Sequence, residues 1–583
     1  LAAMNATMTR VNGVFEKDMA LHLNLIPNND LVVYTNASSD PYSSSSGMSN
    51  WNDELQANLT AVIGDANYDI GHLFGATGGG GDAGCIGCVC GNGKGSGYTS
   101  PSGSGPVGDN FDIDYVVHEM GHQLGANHTF SHSSEGTGVN VEPGSGSTIM
   151  GYAGITSYDV QPHSDAYFTY RSILQIQTNL AGKSCPESTA VANTPPAVDA
   201  GADFIIPAGT AYLLKGTAFD AEGDTLTYCW EQNNSGTGAT TGSNSVASPT
   251  KTVGPTFRSF LPKSKSERSM PEMSKILAGT LNTNWESLSN VARALKFTLT
   301  VRDNNIAGPQ TNTDEVTVTS SAPYNGATGT GVGPFVITSQ TTDIGWPQGS
   351  TQTITWSVNN TTSLPGSQNV NIRLSLDGGL TYPHILAADT PNDGSEDITV
   401  PNVPASENSR IMIEPTANNY YAVNAKSFHV GYETVSLCRT YSFTTPFGIP
   451  DGVSSYTSKT INVPDPGYIS DVNVTINATH PELHDLQIAM LRPGGGLSTI
   501  FNQQCTGNAN MNVTFDSQAP AFACGNPLSG TYAPPTVFSF DNYNGYSMQG
   551  NWQFGFRDVV AGNAGTVNSI VLEICGMIYT LAT

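Results

Sequence analysis

The sequence predicts a multidomain chain in which one mixed α/β (α+β) domain is followed by β-sandwich modules. Three observations predict it. At 583 residues the chain is too long for a single hydrophobic core. Convincing helical periodicity is confined to the part before Cys185. After about residue 190, short alternating apolar runs separated by turn residues take over, in a chain with 63 Gly and only 12% charged residues.

Met4, Met8, Val11 and Phe15 fall at helical spacing, so the sequence opens on a helix. An alternating strand (Leu21, Leu23, Leu25) and a second (31–34) are expected next, then an amphipathic helix carrying Leu55, Leu59, Val62 and Ile63. YDIGHLF reads as a strand, and a long Gly/Ser/Cys loop leads to the helical FDIDYVVHEMGH. DAYFTYRSILQIQTNLAG closes the domain as a helix capped by Gly182. The boundaries are therefore 1–185 for this domain, with ESTAVANTPPAV as a linker.

In 195–322, TAYLLKG, DTLTYCW, ALKFTLTV and DEVTVTS suggest a sandwich. Its locally basic FRSFLPKSKSERSMPEM lacks periodicity and reads as a long surface loop open to proteolysis. A further sandwich is expected over 323–432 from TQTITWSV, NVNIRLSL, SRIMIEP and AKSFHVG. The last segment, 433–583, runs from TYSFTTP to GTVNSIVLEIC, and Cys438 and Cys575 could tie its first and last strands together.

A formal charge of −26 with only 22 Lys and Arg argues against nucleic acid and anionic membrane as partners. No apolar run reaches bilayer-spanning length. Eight of the nine cysteines fall in two even groups (Cys85, Cys88, Cys90, Cys185; Cys438, Cys505, Cys524, Cys575), which suggests disulfides and an oxidising, extracellular setting. Cys229 stands alone in a strand-like run and reads as a buried thiol. The opening LAAMNATMTRV has no initiator Met or leader, so a processed chain is expected, with a missing pro-segment as its inhibitor.

The stretch 118–130, HEMGHQLGANHTF, carries the chemistry. On a helix His118 and His122 share a face and can bind one zinc, with Glu119 placed to take a proton from a water. His128, ten residues after His118, would point roughly 80° away on the same helix, about 15 Å along its axis. Gly125 can adopt a backbone that ends the helix and lets His128 return as third ligand.

This pattern resembles the metzincin metalloproteases, whose HExxHxxGxxH is matched by His118, Glu119, His122, Gly125 and His128. STIMGYAG looks like their Met-turn, with Met150 lying 22 residues after His128. YDIGHLF, the histidine helix and this turn look most like bacterial reprolysin-like proteases. The resemblance covers 1–185 and implies zinc as cofactor, Glu119 as general base for peptide hydrolysis, and protein or peptide substrate lying along an edge strand from Tyr68 to Phe74. Two features depart from it. Thr129 stands where many reprolysins have Asp, and the family's first strand, ahead of the opening helix, is missing or a separate piece. Tyr152, two residues after Met150, stands where astacins and serralysins carry a zinc- or oxyanion-contacting tyrosine. His132 and His163 read as bystanders, and His72 as facing substrate or solvent.

HPELHDLQIAMLRPGG, NVTF and GNWQFGFRDVVAGNAGTVNSIVLEIC resemble the P domain of proprotein convertases, which implies a jelly roll and structural calcium (Ca2+). Asp485, Asp516, Asp541 and Asp558 are the candidates. FDAEGDTLTYCW is similar to PKD or cadherin-like sandwiches. The fold class is thus multidomain: a metzincin-like catalytic domain, two Ig-like β-sandwiches (the second Ig/fibronectin-like) and a P-domain-like jelly roll. The expected protein is a secreted, monomeric zinc (Zn2+) metalloendopeptidase acting on extracellular proteins. The alternative is an adhesion or matrix-binding protein with a vestigial protease domain.

Overall fold

The computed structural model describes residues 1–103, 105–342 and 344–582. Helix α1 (Ala2–Met19) buries Met8, Val11, Val14 and Phe15, the stripe expected from their spacing. Helix α2 (Trp51–Val62) buries Leu55 and Leu59 but leaves Val62 exposed. Between these helices the two expected strands do not form. Residues 21–25 are irregular and 29–32 make a single tight turn. A strand needs a paired neighbour for its backbone groups. Here the segment instead lines a cavity of about 520 Å³ beside strand β1 (His72–Phe74).

Strand β1 is shorter than YDIGHLF suggests, and Tyr68 lies outside it. Its sheet has the order β1, β3 (Gly97–Ser100), β2 (Gly80–Asp82), with β1 parallel and β2 antiparallel to β3. A short helix α3 (Asp109–Phe111) continues through a widened turn (Asp112–Val117) into α4 (His118–Leu124). Helix α5 (Tyr170–Ala181) starts on Thr169, whose side chain accepts from the Ser172 N–H, and stops at Gly182. Cys90 pairs with Cys185 just past α5, and Cys85 with Cys88.

β-Sheets dominate the rest. One four-stranded sheet runs Phe204–Ile206, Thr311–Ser320, Arg293–Arg302, Thr227–Gln232. Two more, of three and six strands, occupy 336–430. A single apolar cluster runs from Ala200 to Val430, joining the cores of both segments. The last segment packs a six-stranded sheet on a four-stranded one over its own apolar core. Cys438 and Cys575 lie opposite each other on its first and last strands and are bonded; Cys505 bonds Cys524. Cys229 is a free, buried thiol. Among the described residues no helix is long and apolar enough to cross a membrane.

The basic stretch after residue 256 is not a plain surface loop. Phe257 and Met270 are in the core, and Arg268–Met270 pairs with Tyr212–Leu214. Its positive charge meets acid: Arg268 reaches Glu286 at 3.0 Å, and Arg258 reaches Asp165 of the first domain at 3.7 Å. That contact belongs to a polar seam between the first domain and the sandwich that follows it. Asp18 and Arg302 pair at 2.7 Å, both fully buried. The Tyr167 hydroxyl donates to Ser259, Tyr170 N–H to Glu231, and Arg171 to Asn233. Backbone bonds add Gly236 N–H to Asn140 O and Gly242 N–H to His132 O.

Candidate metal centre

Helix α4 ends where the sequence requires it to end. Gly125 has φ 129°, and a Cβ there would sit 2.8 Å from the Asn179 Cβ of α5. Its N–H bonds back to Gly121 and His122 carbonyls, closing the last turn. The chain then reverses and brings His128 over the helix.

The three imidazoles converge through their Nε2 atoms. His122 Nε2 lies 3.2 Å from His118 Nε2 and 2.9 Å from His128 Nε2. Each Nδ1 is turned outward to an acceptor: Ile149 O at 2.6 Å for His118, Ala126 O at 2.7 Å for His122 and the Glu135 carboxylate at 2.7 Å for His128. A proton on each Nδ1 leaves each Nε2 with a lone pair. Burial pushes all three pKa values down, that of His128 to about 3, so the rings stay neutral. Three neutral lone pairs aimed at one point repel unless a cation sits between them. Nitrogen donors of this kind suit zinc, with a coordination position left over.

The turn holding Met150 lies beneath. Met150 is fully buried, and a Cβ on Gly121 would come 2.7 Å from its sulfur. The neighbouring Ile149 supplies the carbonyl that orients His118. Thr129, where an Asp was the familiar residue, finds its carboxylate elsewhere. Its hydroxyl donates to buried Glu142, which also accepts from Ser147 N–H, Thr148 N–H and the Thr148 hydroxyl. Thr129 N–H in turn donates to Met150 O. Glu142 therefore clamps the His128 loop to the turn under the histidines. Sequence reading missed both Glu142 and Glu135; the available signal was two acids in a Gly/Ser-rich, charge-poor stretch.

Glu119 is buried beside the histidines under strand β2. A Cβ on Gly81 would come 2.4 Å from its Oε1, and the Ala83 backbone N–H bonds to its carboxyl. Burial, with Asp82 nearby, raises its pKa to about 8. The edge beside Glu119 is thus β2. Tyr68 to Phe74, expected to be that edge, lies on the far side of β3, because β2 folds back antiparallel and takes the outer place. His72 is also placed differently from expectation. It turns inward to Gln123 Oε1 at 2.9 Å and Thr99 Oγ1 at 2.6 Å, and burial lowers its pKa to about 4.

Tyr152 lies over the centre, its ring 4.5 Å from that of His128 and 5.6 Å from that of His118. Burial first, then Glu119, raises its pKa to about 12, so it stays a phenol. His132 stacks on Phe130 at 4.2 Å, at the rim, and His163 binds Asp114 away from the cluster. The four calcium candidates fall into two groups. Asp485 binds Asn563 and Asp558 binds His480, whereas Asp516 and Asp541 share Gln518.

Residues 1–180 match the model of the reprolysin-like metallopeptidase family M12B, and residues 469–574 match the proprotein convertase P-domain. No curated protein matches the chain. Solved structures similar in part include the serine protease of Aeromonas sobria, at 15% identity over 37% of this chain and 38% of that one, TM-score 0.17. The same protease with its chaperone ORF2 gives 14% identity, equal coverage and TM-score 0.17. The N-terminal four Ig domains of Dscam1 isoform 6.9 give 12% identity over 42% and 48%, TM-score 0.11. The chain spans about two fifths of the length of the first two, and likenesses this slight carry no fold or activity across.

Proposed function

We propose that this chain, with its reprolysin-like metallopeptidase domain at 1–180 and its P domain at 469–574, is a secreted zinc endopeptidase that cleaves extracellular proteins. The observation that carries the reading is the orientation of three imidazoles, two buried and that of His128 partly so, every Nδ1 tied to an acceptor and every Nε2 facing the same point. His118, His122 and His128 would hold the zinc, which when bound polarises a scissile carbonyl and acidifies a water.

The chain's own groups do the rest. Glu119 takes a proton from the attacking water and delivers it to the leaving amine nitrogen. Substrate adds antiparallel to β2, so that its backbone passes Gly80 and Gly81 on the way to Glu119. The Tyr152 hydroxyl donates to the developing oxyanion. Four disulfides support an extracellular setting. The sandwich after residue 195, PKD-like in its loops, acts as a buttress for the catalytic domain through the seam around Arg302 and Asp18.

Casein hydrolysis by the zinc-loaded chain tests this. Activity is expected to vanish with phenanthroline and in Glu119→Gln, while that variant keeps one zinc per chain. An active Glu119→Gln enzyme would remove Glu119 from its role.

A further inference from the structure

Two buried cations of the first sandwich, in a chain of formal charge −26, have no anion beside them. Lys251 and Arg293 are each 8% exposed. Among the described residues their side chains meet only backbone carbonyls. Lys251 Nζ donates to Ser245 O at 3.0 Å and Val246 O at 3.2 Å, and Arg293 donates to Lys251 O and Gly254 O. Arg293 Nε is sealed from solvent without an acceptor. An ammonium has three donors, and these two bonds leave one over. Buried charge without a counter-charge is costly, so the pair favours an anion brought from outside.

A way in exists. After the strand Thr227–Gln232 the chain makes two tight turns, Gly238–Thr240 and Gly242–Ser245. With residues 246–253 they enclose a hollow of about 350 Å³, in the size range of small-ligand pockets. Lys251 lines it together with the hydroxyls of Thr240, Ser243, Thr250 and Thr252 and the amide of Asn244. The same turns dock on the loop that follows the third histidine. Gly236 N–H donates to Asn140 O, Gly242 N–H to His132 O, and Gly144 N–H to Ser245 O. His132 stacks on Phe130 at 4.2 Å, and Phe130 on His128 at 4.7 Å. Two stacked rings therefore separate the wall of the hollow from a zinc-facing imidazole, a gap that a few residues of extended chain span at about 3.3 Å each.

We propose that this hollow takes an acidic side chain of the protein substrate, a few residues from the bond to be cut, with Lys251 meeting the carboxylate. The inference rests on the peptidase reading and gives the first sandwich a part in choosing substrate. A carboxylate supplies the acceptor that the remaining Lys251 donor lacks, and its second oxygen accepts from the surrounding hydroxyls. Arg293 lies behind, bonded to the Lys251 carbonyl, and adds its charge to the same spot. The lining has no aromatic ring for the apolar face of a sugar to pack on, which favours peptide over glycan as the source of the acid.

Binding is measured on the full, zinc-loaded chain carrying Glu119→Gln, so that peptide is held without being cut and the hollow is tested whether or not the chain hydrolyses anything. Fluorescence anisotropy follows a labelled neutral peptide in which a single Glu is walked along the sequence. One position is expected to bind about tenfold more tightly than the neutral parent. Lys251→Met should abolish that advantage. If Lys251→Met fails to fold, Ser243→Glu decides, because Ser243 is exposed and the new carboxylate repels an acid at the mouth of the hollow. A chain without Glu119→Gln that cuts no casein, beside an intact Glu preference, would remove the peptidase reading and keep the acid pocket. Equal binding of every peptide, an advantage that survives Ser243→Glu, or tighter binding of a uronate oligosaccharide than of the best peptide would overturn the proposal.

Discussion

The Thr129 hydroxyl donates to the Glu142 carboxylate at 2.5 Å, thirteen residues along the chain, and both are buried. Glu142 holds four donors, three of them from the turn that carries Met150. Truncating it orphans four buried donors and frees the loop bearing His128. Glu142→Ala is therefore expected to lose about 2–4 kcal/mol of stability and roughly ten- to a hundredfold in zinc affinity. Thermal unfolding and zinc competition with a chromogenic chelator read both. Wild-type zinc affinity in the variant would show that the clamp does not set the ligand geometry.

Arg302 and Asp18 tie the sandwich to the catalytic domain, and the same Asp18 accepts the Phe168 N–H while Arg302 donates to Phe168 O. Phe168 packs near Gly121 under the histidines, so the pair reaches the centre through one residue. Arg302→Met leaves a buried carboxylate without its partner, a loss of about 3–5 kcal/mol. The double variant Asp18→Asn, Arg302→Met should recover part of it, since the stranded charge is gone. Denaturant titration of wild type, both single variants and the double gives the coupling; additive losses would refute a dedicated pair.

The sequence disclosed the centre because its constraints are local. The spacing of His118 and His122 and the glycine needed at 125 can be argued from helix geometry alone, and α4 ends at Gly125 as that argument demands. The supports were hidden because they are contacts between distant loops: Glu142 to Thr129, Glu135 to His128, Arg302 to Asp18. The strand order was hidden for a similar reason. YDIGHLF has the apolar character of a strand, but whether it or the glycine run at 78–81 takes the edge beside Glu119 depends on how the chain folds back across β3. Residues 21–34 show the converse, alternating runs that pair with no strand, irregular over 21–25 and coiled into a tight turn over 29–32.

Tyr152 has no hydrogen bond from its hydroxyl among the described residues, although its ring is packed against His128 and Phe130. A phenol left unpaired beside a metal centre is free to donate to substrate. Tyr152→Phe keeps the packing and removes the donor, so kcat is expected to fall ten- to a hundredfold with KM and zinc content nearly unchanged. An unchanged kcat would assign Tyr152 to packing alone.

Glu231 makes stability depend on pH at the seam. It is buried in the sandwich, where Oε2 accepts from Tyr170 N–H and the Thr300 hydroxyl and Oε1 has no partner. Burial lifts its pKa from 4.5 to about 7, against the opposing pull of Arg302. Between those values the folded chain holds a proton that the unfolded chain has released, so stability falls as pH rises from about 4.5 to about 7 and levels off above. The loss amounts to about 3 kcal/mol. Glu231→Gln keeps the acceptor for Tyr170 and cannot ionise. It should match wild type near pH 4.5 and exceed it by up to about 3 kcal/mol at pH 8. Urea unfolding of both proteins across that range measures the difference, and parallel pH profiles would clear Glu231 of the effect.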